Sequence, residues 1–336
     1  MKFASIFSKI LLFAAATLLI ASAPNDFNTT NRTQSDSARW AISADFLAWH
    51  ASEDVASIWA DVIMIGNNNT SSWGAPSFSF KWDYGFRLGA FYHLPCDGWD
   101  SFIGWTWFRT DARHTLAFQD NSLLQPEFFA GFLSGDIPQS MSAKWSLLLN
   151  MIDWELGRSY WICKHVSLRP FLGVKGGWIN QSILTLYSNL TINKVLTNKT
   201  GREHLKNNFW GIGPSGGVNT TWRVCNFKSN FFDFFGDFSL ATLWGVWKCS
   251  DVYKNSDYRT SSVNTKNSSL GGLMLRGFAG VGWNADFRKD KLHFAAKLGF
   301  ETQLWIDQLR IATFQLQRLH DDLSLQGITC NCRFDF

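Results

Sequence analysis

Between residues 40 and 336 the chain alternates apolar and polar side chains one residue at a time, in segment after segment. FSFKWDYGFRLGAFYH (78–93) sets Phe80, Trp82, Tyr84, Phe86, Leu88, Ala90 and Tyr92 against Lys81, Asp83, Arg87 and His93. GLMLRGFAGVGWNADFR (272–288) places Leu273, Leu275, Ala279, Val281, Trp283, Ala285 and Phe287 on one parity, and KLHFAAKLGFETQLWID (291–307) repeats the pattern. A period of two is the repeat of a β-strand, so each segment reads as a strand with one apolar and one polar face. These runs are long, since strands of soluble proteins usually hold about five or six residues. The chain closes on another, ITCNCRFDF (328–336), with Ile328, Cys330, Cys332, Phe334 and Phe336 opposed to Thr329, Asn331, Arg333 and Asp335.

Connection lengths alternate as well. Short corners at 94–98, 163–164, 226–230 and 289–290 interleave with long polar stretches at 51–77, 113–143, 187–207, 248–271 and 308–322. The gaps hold strands at 40–50, 78–93, 99–112, 144–162, 166–186, 208–225, 231–247, 272–288, 291–307 and 323–336, ten in all. A hairpin within 51–77, where VASIWADVIMI is apolar, would raise the number to twelve. An even strand number, short turns on one side and long loops on the other are the pattern of a transmembrane antiparallel β-barrel. Lipid offers no hydrogen-bond partner, so a sheet persists there only when closed. The expectation is an all-β outer-membrane barrel over 40–336, crossing the membrane many times, with short periplasmic turns and long extracellular loops. In such a barrel the last strand pairs with the first, and Phe334 and Phe336 on the lipid face would be read by the barrel-insertion machinery.

The start of the chain agrees with export. Lys2 and Lys9, an apolar stretch from Ile10 to Ile20 and the small triplet Ala21-Ser22-Ala23 read as a signal peptide over 1–23, although Pro24 is a poor residue after a cleavage site. A polar lead follows at 24–39. Nothing after it approaches the ~18 to 20 continuous apolar residues of a membrane helix. Yet the chain carries 18 Trp and 30 Phe at a mean hydropathy near neutral, which suits strands with one greasy face.

Charges on the polar parity are the candidates for lining an interior: Lys81, Asp83, Arg87, Arg169, Lys175, Arg223, Arg276, Arg288, Lys297, Glu301 and Arg333, with Asp45, Asp153, Glu155, Asp233 and Asp335 among the acids. A charge facing mid-membrane lipid costs about 2 to 4 kcal/mol for Arg or Lys, so these groups point inward. Their near balance fits a water-filled lumen and a salt-bridged one equally well. Trp40, Tyr92, Trp99, Tyr160, Trp161, Trp244 and Trp247 near strand ends would form the interfacial girdles. Cys96, Cys163, Cys225, Cys249 and Cys332 are candidates for disulfides in an oxidising compartment, with Cys249 at the start of an outer loop; small apolar filler serves equally for Cys330 and Cys332.

Other classes find little support. A net charge of +4, scattered along strands, gives no basis for nucleic-acid binding. No Cys or His spacing suggests a metal, and no cofactor is implied. GIGPSGG (211–217) lacks the Lys and Ser/Thr of a phosphate loop, and its glycines suit a crowded, bent strand. The seven histidines lie at strand ends or in loops without a serine nucleophile motif, so no enzyme is expected.

KWDYGFRLGAFYHLPCDGWDSFIGWTWFRTDA (81–112), DWELGRSYWICKHVSLRPFLGVKGGWINQS (153–182) and GIGPSGGVNTTW (211–222) resemble the major-outer-membrane-protein-like, pore-forming family of legionella and chlamydia-like type. That resemblance runs from about residue 40 to residue 336. It implies a barrel that lets small solutes and ions diffuse across the outer membrane, and it transfers no catalytic residue. It also suggests disulfide links to neighbouring envelope proteins. The alternative is a structural or adhesive barrel, closed inside, that works through its surface loops and cysteines.

Overall fold

The computed structural model describes residues 40–54, 59–65, 71–74, 77–95, 98–117, 122–126, 137–192, 195–227, 230–256, 260–287, 292–312 and 318–336. The expected signal segment and polar lead, Cys96 and Arg288 lie outside them. The strands are β1 (Trp40–Ser52), β2 (Ala60–Ile65), β3 (Ser71–Gly74), β4 (Trp82–His93), β5 (Trp99–Ala117), β6 (Ser122–Pro126), β7 (Ile137–Arg158) and β8 (Tyr160–Trp161). They continue with β9 (Val166–Ile192), β10 (Val195–Leu196), β11 (Gly201–Phe227), β12 (Asn230–Asn255), β13 (Thr260–Phe287), β14 (Leu292–Ala312) and β15 (Arg318–Asp335).

Ten of them form one antiparallel ring in the order β9-β11-β12-β13-β14-β15-β1-β4-β5-β7, and β7 pairs back onto β9 to close it. Within the band that faces lipid, closure leaves no open edge among the described residues, which is what lipid requires. The seam between β15 and β1 runs from Ala41 opposite Asp335 to Ser52 opposite Ser324. Beyond it, Phe336 N donates to Trp40 O at 2.9 Å. Two short corners are tight: Phe227 pairs with Asn230, and Gly98 takes φ +72° where Leu94 N donates to Trp99 O. In the 51–77 region the ring gains no member, because β2, β3 and β6 form a separate three-stranded sheet.

The long loops are shorter than expected. β9, β11, β12 and β13 hold 27, 27, 26 and 28 residues, whereas about 9 to 11 suffice to cross a bilayer. Most of 187–207 and 248–271 is therefore strand that continues beyond the membrane, and Cys249 lies within β12 instead of starting a loop.

The reason these stretches read as loops is that the faces exchange character. On β5, Ile103 and Trp105 are exposed and Trp107 partly so, and the next residues on that face are the exposed Arg109, Asp111 and Arg113. Inside the same strand, Thr106 gives way to the buried Phe108 and Ala112. An upper aromatic belt marks the exchange. Trp107 lies opposite Asn150, Asn150 opposite Trp178 and Trp178 opposite Trp210, with Trp82 and Trp244 also exposed. Trp40 and Tyr92, with ring centroids 4.6 Å apart, and Trp99 belong to the lower one. Trp247 leaves the girdle set: it is 1 % exposed and faces inward, while Trp244 is 67 % exposed.

Candidate functional site: the barrel interior

At the height of the lipid-facing band the interior is charged. Alternation places Asp45 on β1, Arg87 on β4, Arg276 on β13 and Glu301 on β14 on the inner face, and closure brings them together. Arg87 donates to Asp45 Oδ2 at 2.9 Å, to Glu301 Oε1 at 2.8 Å and to Thr106 Oγ1 at 3.0 Å. Arg276 reaches the same Glu301 oxygen at 2.7 Å. Gln303 Nε2 at 3.0 Å and Thr329 Oγ1 at 2.9 Å donate to that carboxylate as well. Two guanidiniums around one buried carboxylate, with Asp45 as the second acid, compensate the desolvation that an unpaired ion would suffer.

A second cluster lies nearer the short-turn end. Arg169 on β9 donates to Asp100 at 3.0 Å, to Glu155 at 3.2 Å and to Asn219 at 2.8 Å. Lys175 is paired with Asp153, and Arg333 with Asp335 at 2.7 Å. Lys297 lies 4.9 Å above the Phe235 ring, and Arg223 4.3 Å from that of Phe231. Asp83 accepts from Thr110 at 2.6 Å. Lys81 precedes β4 and is exposed, away from both clusters.

Above the charged layer the interior is apolar. Leu47, Trp49, Trp145, Leu147, Phe209, Leu243, Trp247 and Trp305 pack into one continuous buried cluster, roofed by Trp59, Phe78 and Leu124. The expectation that aromatic side chains collect on the outside holds in part for the lipid band, where Phe171, Phe235 and Phe278 nonetheless face inward beneath Arg169, Lys297 and Arg276, and fails above it. Above it the outer face meets water, so the apolar groups turn in, as in a soluble barrel.

A thread of polar side chains runs through this cluster. Glu53, just past β1, is buried and accepts from Trp145 Nε1 at 3.0 Å and Gln181 Nε2 at 2.7 Å. Burial pushes its carboxyl up to about 8, with Asp321 adding repulsion. Gln181 accepts from Asn207 at 3.1 Å, and the Gln308 carbonyl accepts from Asn207 at 3.2 Å and Trp247 at 3.1 Å. That carbonyl is turned by an irregularity between Trp305 and Leu309, where Asp307 takes φ 54°. Higher still, Tyr187 donates to Glu203 beside Asp251, and burial raises both of these carboxyls. Glu53, Glu203 and Asp251 were not among the sequence candidates, because a lone acid in a polar stretch carries no mark of burial.

The cysteines do not pair among the described residues: Cys163, Cys225, Cys249, Cys330 and Cys332 are free. Cys249 is buried in the apolar cluster, out of reach of a neighbouring protein. Cys332 shares its face with the exposed Ile328 and Phe334 and so meets lipid.

The family described as Legionella pneumophila major outer membrane protein precursor matches residues 34–336. Among solved structures, the outer membrane protease OmpT from Escherichia coli is similar at 8 % identity and a TM-score of 0.39, covering 92 % of this chain and 99 % of that one. A Pseudomonas aeruginosa FadL homologue is similar at 8 % identity and a TM-score of 0.25, covering 89 % and 90 %. No curated protein matches the chain.

Proposed function

The chain belongs to the Legionella major outer membrane protein family, and from that premise we propose that it is a narrow, weakly selective pore for ions and small solutes, with a closed state set by its interior. The observation that carries this reading is the charged inner layer at the height of the lipid band, around Arg87, Glu301 and Arg276. Ten strands leave a bore only slightly wider than the eight-stranded case that side chains fill. The apolar cluster above then acts as a hydrophobic constriction that conducts only when wetted. Opposite charges are nearly balanced along the path, so selectivity is weak at moderate salt. Planar-bilayer recording of correctly folded protein tests this: brief, low-conductance openings are expected.

A second reading is favoured by the same apolar cluster, whose Trp49, Trp145, Trp247 and Trp305 are all essentially inaccessible. It is a permanently closed barrel that serves the envelope structurally and acts through its outer surface. Absence of any channel activity from heat-modifiable, folded protein would select it over the pore.

A further inference from the structure

The outer face of β11, β12 and β13 above the upper belt carries cations that the pore does not use. Lys248 on β12 lies directly opposite Lys266 on β13. Lys206 on β11 lies opposite Ser250, one outward position along from Lys248. Farther out, Arg202 is opposite Lys254. All five side chains are exposed. Like charges placed opposite one another across a ladder destabilise it, and here the arrangement occurs twice within one three-strand surface.

Among the described residues, nothing on that face offsets them. The outward residues between these cations are His204, Asn208, Ser250, Val252, Asn264 and Ser262, and among the described residues no carboxylate shares the face. The nearby acids Glu203 and Asp251 point inward and are 1 % and 0 % exposed. The opposite flank differs: there Asp111 stands 3.8 Å from Arg113 and 3.5 Å from Lys144, so those two cations share a carboxylate.

Height indicates what the unpaired flank meets. Lys206 lies four residues outward of Trp210, and Lys248 four outward of Trp244, both of which belong to the upper belt. Four residues at about 3.3 Å each, on a strand tilted about 40°, put the ammonium groups roughly 10 Å above the belt. Belt aromatics sit at head-group level, so the lysines stand in the polar layer just outside. We propose that Lys206, Lys248 and Lys266 form a binding surface for the phosphates of the outer-leaflet glycolipid, with Arg202 and Lys254 extending it outward. A phosphate between Lys248 and Lys266 turns their repulsion into shared attraction, and lysine serves as a compact point charge for it.

The test uses the full folded chain in phosphatidylcholine nanodiscs doped with lipid A carrying two phosphates, or with the same lipid dephosphorylated. Bound lipid is read by native mass spectrometry. Retention of the phosphorylated form is expected to exceed that of the dephosphorylated form by about tenfold or more, and to weaken with salt. The triple variant Lys206→Gln, Lys248→Gln, Lys266→Gln is expected to lose that preference, whereas Arg109→Gln with Arg113→Gln on the other flank keeps it. Equal retention of both lipids by the unaltered protein overturns the proposal without needing any variant. So does unchanged preference in a triple variant that still shows the heat-modifiable folded form, and so does displacement of the lipid by millimolar inorganic phosphate.

Discussion

Arg87 and Glu301 are 214 residues apart in the chain and meet at 2.8 Å inside the barrel. The contact exists only because the ring is closed, since their strands lie on opposite sides of the β15–β1 seam.

Replacing Glu301 with Gln leaves Arg276 without the carboxylate it pairs with and Arg87 with Asp45 alone. Breaking a buried pair on one side costs about 3 to 5 kcal/mol. The temperature at which the folded band disappears on gels should fall clearly. Arg87→Gln in the same background should add less than it does alone, because the two changes remove one network.

The constriction reading makes Leu243 sensitive. It is fully buried in the apolar cluster. Leu243→Ser admits a hydroxyl where water is now unfavourable and should lengthen or multiply channel openings in bilayer recordings. An unaltered record from a folded variant would remove the apolar cluster as the gate.

Glu53 ties stability to pH. Its carboxyl is raised from 4.5 to about 8 by burial, so between those values the folded state holds a proton that the unfolded state has released. Stability from this group is full below about pH 4.5 and is lost as pH rises through about 8, by up to roughly 4 to 5 kcal/mol. Glu203 and Asp251 act in the same direction. Glu53→Gln should therefore flatten the decline in unfolding midpoint between pH 5 and pH 8 without abolishing it. An equally steep decline in the variant would show that Glu53 is not the group responsible.

The cysteines should separate by environment. A water-soluble maleimide is expected to label Cys163, at the corner after β8, and to leave Cys249 and Cys332 unlabelled in the folded protein, one shielded by the apolar cluster and the other by lipid. Labelling of Cys249 at the rate of Cys163 would contradict its burial. Multimers that disappear on reduction should then depend on Cys96, Cys163 or Cys225.

Phe336 lies exposed beside the seam, next to Phe334 at a ring separation of 6.1 Å. If it is read during insertion, Phe336→Asp should accumulate unassembled protein in cells. The same variant refolded in detergent should melt near the unaltered protein, since a carboxylate close to the interface costs about 0 to 1 kcal/mol. Normal assembly in cells would count against the role.

The ring was legible wherever apolar and polar residues alternated strongly. Segments such as 78–93 and 291–307 carry Trp, Phe and Leu against Lys, Asp and Glu, and β4 ends at His93 and β14 begins at Leu292, beside the short corners expected there. The outer halves of β11 and β13 were not legible. In LKNNFW (205–210) and TSSVNTKNSS (260–269) the alternation sets inward residues against Lys, Asn, Ser and Thr with little contrast, and polar residues in a row look like a loop. The charged candidates were legible as a parity class. Their grouping was not, because Asp45, Arg87, Arg276 and Glu301 come from four strands whose register depends on ring closure.

The exchange of faces at the upper belt has a thermodynamic consequence. The lower half hides its apolar surface in hydrocarbon, so unfolding there exchanges lipid contacts. The upper half hides its apolar surface from water, so opening it carries the large heat-capacity increment and the denaturant sensitivity of a soluble domain. The two halves of each strand thus answer to different solvents. Urea, which reaches only the upper one, should loosen the tryptophan cluster while the lipid-embedded ring stays closed.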